Sequence, residues 1–177
     1  TPGADGPILV SSSINTYYPT ATNISLVPGQ TSVNLGAVPP TDPYGNSFGT
    51  LQINSGDLLL IIQMQDAAIN STNDNTYGSG FSNSGTDLLG GTGFTSIGNA
   101  GLYEYVVATN NVPLSGGNLT FLGTGAGNGL LNSYVNAAAT TTSGKKTFQI
   151  VRVPQYSNLT LTANVTTPPF NGTCGGV

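Results

Sequence analysis

The stretch SGDLLLIIQMQDA, residues 55–67, narrows the choice of fold more than any other part of the chain. Five aliphatic residues in a row are too few to cross a bilayer, which takes about 20. The run is also too short and too β-branched for a buried helix, which shows its 3.6-residue period over ten or more positions. Period two fits it instead. Leu58, Leu60, Ile62 and Met64 share one face, and Leu59, Ile61, Gln63 and Gln65 share the other. A strand apolar on both faces at its start, and on one face at its end, reads as the central strand of a sheet.

Other segments alternate in the same way. In NLTLTANVT, Leu159, Leu161, Ala163 and Val165 fall together. In KTFQIVRVP, Phe148 and Ile150 oppose Val151 and Val153. In LYEYVVAT, Leu102 and Val106 oppose Tyr103, Tyr105 and Val107. GPILVSSSINTYY, NISLV, TSVNLGAV, FGTLQI and NLTFLG add further strands. Pro and Gly pairs between them mark turns. LLNSYVNAAATTT is the one helix candidate. The expected fold is all-β: a single domain over residues 1–177, an antiparallel sandwich or jelly roll of about 9–10 strands. One long ordered loop, Gly-, Ser- and Asn-rich, spans residues 70–100. Its length, beyond about 15 residues, points to a functional role.

Composition then excludes several functions. Charged residues make up 6% of the chain, far below the usual quarter. The three basic residues Lys145, Lys146 and Arg152 face seven acids, for a net charge of −4. Nucleic acid and anionic membrane surfaces are poor partners for such a chain. With no His, neither a Ser-His-Asp nor a Cys-His arrangement can be assembled, and zinc loses its main ligands. Glu104, Asp57 and Asp66 are read as turn or solvated acids rather than as a glycosidase pair. The expectation is a protein that is not an enzyme. Solubility carried by neutral hydroxyls and amides points to an extracellular or cell-surface location. A start at Thr1, without a basic or apolar leader, suggests a signal peptide already removed.

Four sets of residues are singled out. The opening segment, residues 1–18, reads as a donor strand for a second copy, with Ile8, Leu9, Val10, Ile14 and Tyr17 at the subunit interface. The alternative is an ordinary first strand of the chain's own sheet. In the long loop, Tyr77, Phe81 and Asp74 are candidate ligand contacts. Asp66, Asp74, Asn73 and Asn75 offer oxygens to calcium, the one cofactor considered, although ordinary Asx-rich turns use the same residues. Six glycosylation sequons begin at Asn23, Asn70, Asn118, Asn158, Asn164 and Asn171, where chance alone would give roughly four. Cys174 stands alone, so no intrachain disulfide forms, and it reads as a bystander near a loose terminus or as an intermolecular bridge. Lys146 also admits an isopeptide bond to an Asn.

Taken together, GADGP, INTYYP, SGDLLLIIQMQDA, GLYEYVVAT, GTGAGNGLLNSY, KKTFQIVRVPQYS and FNGTCGGV resemble a β-rich module at the front of large bacterial secreted and cell-surface proteins of adhesin type. The likeness runs from about Ala4 to Val177. It implies a surface location and a non-enzymatic role, and it carries over no catalytic residue. A looser similarity is to subunits of prokaryotic extracellular filaments, which are also neutral, Thr- and Asn-rich β-domains. That similarity implies a self-assembling subunit of a filament or surface layer, joined by donor-strand exchange, with itself as partner. The alternative is an adhesin or carbohydrate-binding head with glycans as partners.

Overall fold

The computed structural model describes residues 2–11, 13–71, 73, 75, 92–93, 95–141 and 143–177. Among them are twelve strands: β1 (Pro7–Val10), β2 (Thr16–Pro19), β3 (Ile24–Leu26), β4 (Ser32–Leu35), β5 (Leu58–Gln65), β6 (Ala68–Ile69), β7 (Thr95–Ser96), β8 (Tyr103–Ala108), β9 (Gly117–Leu122), β10 (Tyr134–Asn136), β11 (Thr147–Val153) and β12 (Asn158–Leu161). The fold is all-β. The count exceeds the expected 9–10 because several strands are only two to four residues long.

Six strands form one antiparallel sheet in the order β2-β11-β5-β8-β9-β4. The sheet is curled so that its two ends meet. Thr20, just after β2, bridges Leu35 of β4. The Ala21 N–H donates to Asn34 O at 3.0 Å, and the Gly36 N–H donates to Pro19 O at 2.9 Å. Joining the two edges removes most of the unpaired backbone that an open sheet would present.

The concave face holds the main core. Each of the six strands contributes to it, among them Tyr18, Val33, Leu59, Ile61, Val106, Phe121, Phe148 and Ile150. The convex face carries a second, smaller cluster: Tyr17, Leu60 and Val151, covered by Phe48 and Cys174. Strand β5 lies between β11 and β8, as its apolar run predicts. Its polar end differs from expectation. Gln63 is fully buried rather than exposed. Its Nε2 donates to Val135 O at 2.8 Å, and its Oε1 accepts from the Val135 N–H at 2.9 Å. The side-chain amide thus stands in for the peptide group of a neighbouring strand. This explains why LLNSYVNAAATTT is not a helix. Its centre is β10, held by Gln63 on one side and paired with β3 on the other. Tertiary hydrogen bonds override the helix preference of the Ala run.

Two more expectations change. GPILVSSSINTYY is not one strand: β1 and β2 are separate elements, and β2 belongs to the main sheet. FGTLQI forms no strand beyond an isolated bridge between Ile53 and Val112. The glycine-rich stretch 123–130 folds back tightly on the turn at residues 29–30. A Cβ at Gly129 would stand 2.2 Å from Gly29 O, so only glycine fits that crossing.

Candidate functional site

Beside the curled sheet, β1 and β12 pair in parallel as a ribbon of two strands. The register sets Ile8 beside Leu159, Leu9 beside Thr160 and Val10 beside Leu161. One face is therefore apolar (Ile8, Val10, Leu159, Leu161), and the other is mixed (Pro7, Leu9, Asn158, Thr160). Among the described residues, each of the two strands has one paired edge and one free edge. All four residues of β12 are exposed. Leu9 is 71% exposed, Leu161 62% and Leu159 42%, a concentration of open leucines at one place. An isolated pair of strands is marginal in water, and parallel pairing is the weaker kind.

The ribbon's own ladder gains one bond beside each end of β12. The Ser157 N–H donates to Gly6 O at 2.9 Å, and the Thr162 N–H donates to Val10 O at 2.8 Å. Ahead of β1, Asp5 joins an ion cluster with Arg152 of β11 and Asp57 of the turn before β5. Arg152 is only 4% exposed and reaches both carboxylates. Its Nε donates to Asp57 Oδ2 at 2.7 Å and its Nη2 to Asp57 Oδ1 at 3.2 Å. Nη2 also donates to Asp5 Oδ1. The second Asp5 oxygen accepts from the Gln155 N–H at 2.6 Å. Burial alone would raise the Asp5 carboxyl. The Gln155 N–H and the Arg152 guanidinium outweigh it and hold Asp5 below its ordinary value. Burial likewise disfavours the Arg152 charge, and the two carboxylates more than restore it.

Two depressions flank the ribbon. One, of about 280 Å³, lies beside β1 and is lined by Leu9, Ile14, Thr50, Leu51 and Tyr156 among others. A second, of about 200 Å³, sits over the mixed face at Pro7, Leu9, Asn158 and Thr160.

The residues expected to form a donor strand therefore divide. Ile8, Leu9 and Val10 form β1, paired with the chain's own β12. Ile14 is half-buried beside the first depression. Tyr17 is fully buried in β2, with its hydroxyl bonded to Val177 O, and serves the fold rather than an interface. Among the described residues, the separable element is thus residues 2–10 rather than the whole opening segment through residue 18.

In the long loop, Tyr77, Phe81 and Asp74 lie outside the described residues. Asp66, the remaining acidic calcium candidate, is committed elsewhere. It pairs with Lys146 Nζ at 2.7 Å and accepts from the Asn99 N–H at 2.8 Å. That ion pair also occupies the lysine considered for an isopeptide bond. Asn73 and Asn75 are exposed. No group of three or more His, Cys, Asp or Glu side chains gathers among the described residues. Of the sequons, Asn70 is 5% exposed, which leaves no room for a glycan in the folded chain. Asn23, Asn118, Asn158, Asn164 and Asn171 are exposed. Cys174 is not on a loose end. It is fully buried against Tyr17, and burial pushes its thiol up to about 11.

Three features escaped the sequence reading: the Arg152 cluster, the buried Gln63, and the outward tyrosines of β8. Tyr103 and Tyr105 are 57% and 48% exposed, with rings edge-to-face at 6.1 Å. Glu104 between them points inward and is buried. Alternation at 103–107 was legible, but not which side faced the core. No protein family, curated protein or solved structure matches the chain.

Proposed function

We propose that this is a non-enzymatic extracellular structural module, a subunit of a cell-surface filament or layer that joins copies of itself by β-strand addition. The supporting observation is the β1–β12 ribbon, a parallel pair with two free edges and exposed leucines beside an otherwise edge-joined sheet. Free edges of this kind are templates for a further strand. Proteins that stay monomeric blunt such edges with charge, proline or bulges. Neither PILV nor NLTL carries a charge, and Pro7 stands only at the start of β1. The neutral surface fits a setting where association is driven by main-chain bonds and apolar contact rather than by ion pairs.

Placing lysines on the open strand tests this reading. Thr160→Lys with Leu161→Lys alters only exposed positions, so stability should stay within about 0.5 kcal/mol of the parent. Association, followed by sedimentation velocity and electron microscopy at rising concentration, should fall by about tenfold or more, or about 1.4 kcal/mol. If the lysine variant assembles as well as the parent, the ribbon is not the contact.

A second reading, a carbohydrate-binding head, draws on Tyr103 and Tyr105. Exposed aromatic rings suit the apolar C–H faces of sugars. Binding to a glycan array that Tyr105→Ala abolishes would favour it, and an array without signal would remove it.

A further inference from the structure

We propose that the two free edges of the ribbon are complementary halves of one interface. The free edge of β1 in one copy adds alongside the free edge of β12 in the next, and the copies join head to tail in an open series. This deepens the self-association reading and rests on it.

Register is the first support. Within one copy, parallel pairing sets Ile8 beside Leu159 and Val10 beside Leu161, an apolar row across the ribbon. A second ribbon added in the same direction and register continues that row, with Leu159 of one copy beside Ile8 of the next. Pairing like edges does not. Two β1 strands related by a two-fold axis run antiparallel. Full overlap of Pro7–Val10 then sets Ile8 opposite Leu9 and mixes the two faces. Matching the faces requires a slide that shortens the overlap. The different edges therefore fit each other better than either fits itself. A contact between unlike surfaces does not close at two copies.

The ion cluster is the second support, because it separates strand addition from strand exchange. To be donated, β1 must leave its own body. That would break the Asp5–Arg152 pair, both Asp5–Gln155 bonds, and the bonds at Gly6 and Val10. Strand addition leaves all of these intact. Charge presents no obstacle to it. The β1 and β12 side chains are neutral, and the carboxylate of Asp5, two residues before β1, is paired with Arg152.

A disulfide staple distinguishes the routes. Leu9→Cys with Thr160→Cys places two exposed thiols at paired positions of the ribbon. Cys174 is buried and stays out of the reaction. The full chain is oxidised at a concentration where it is monomeric, and the intrachain bond is confirmed by mass and non-reducing electrophoresis. The stapled protein is then concentrated beside its reduced form, with association read by sedimentation velocity. Head-to-tail addition predicts that both forms grow beyond the dimer, with apparent dissociation constants within about threefold of each other. Assembly lost on oxidation and restored on reduction would overturn addition in favour of exchange, while leaving self-association standing. Growth that stops at a dimer would overturn the open series in favour of a like-edge pair. A wild-type chain that stays monomeric at every concentration would instead remove the self-association reading itself.

Discussion

Arg152→Met should cost the fold about 3–5 kcal/mol, the largest effect expected of any single substitution here, because it leaves two carboxylates facing an apolar side chain. Asp5 and Asp57 are 17% and 14% exposed, so water replaces the guanidinium only in part. The three residues join distant parts of the chain: the lead into β1, the turn before β5, and β11. Loss of the cation should therefore loosen the ribbon before the curled sheet opens. Urea denaturation gives the total loss, and amide exchange at Ser157 and Thr162 tests the order. Replacing all three residues by neutral ones, with Asp5→Asn and Asp57→Asn added, should recover part of the loss, since removing both signs of charge lifts the desolvation cost.

The same cluster gives stability an acid dependence of defined sign. Folded Asp5 titrates below its ordinary 3.8. Its contribution is full above the unfolded value and fades as pH falls through the folded one. Wild-type stability should therefore decline below about pH 4. In Arg152→Met the slope should shrink but not vanish, because the Gln155 N–H still favours the Asp5 carboxylate. A slope unchanged by the substitution would mean that Arg152 does not set the Asp5 titration.

Glu104→Ala should cost about 3–4 kcal/mol, on the scale of two charge-assisted hydrogen bonds lost from a buried site. Glu104 is 7% exposed. Its two oxygens accept from the N–H groups of Leu131 and Asn132, each at 2.9 Å. These bonds fasten the end of the glycine-rich stretch 123–130 to β8. Nearby, burial holds the Tyr134 phenol above its ordinary range, and the Glu104 carboxylate adds to the effect. Glu104→Gln keeps one acceptor and should cost roughly half as much. Thermal and urea unfolding of the pair checks the ratio. A loss below about 1 kcal/mol for Glu104→Ala would show that water satisfies both N–H groups.

The candidate site was legible in part. PILV announced itself as a short apolar strand near the start of the chain. The alternation of Leu159 and Leu161 announced another near the end. Nothing local says that these two pair, because partners such as Ile8 and Leu159 lie at opposite ends of the chain. Tyr17 shows the opposite limit. It reads as a continuation of the opening strand, and it lies in the core because the chain breaks between β1 and β2. Glu104 read as a solvated strand acid. It is buried because two backbone N–H groups from a loop 27 and 28 residues away need an acceptor.

By itself, the sequence determined the all-β character. Period-two alternation has one structural solution, and a chain with 6% charge and frequent Gly and Pro offers no long helical face. It also determined that β5 is central, because a run apolar on both faces must be covered on both. The tertiary structure alone decided which face of each strand turned inward, where the sheet joined its own edge, and which strands paired outside it, the β1–β12 ribbon among them. Those choices depend on contacts between residues far apart in the chain. A local pattern sets the spacing of side chains along a strand, but not the partner that waits on either side of it.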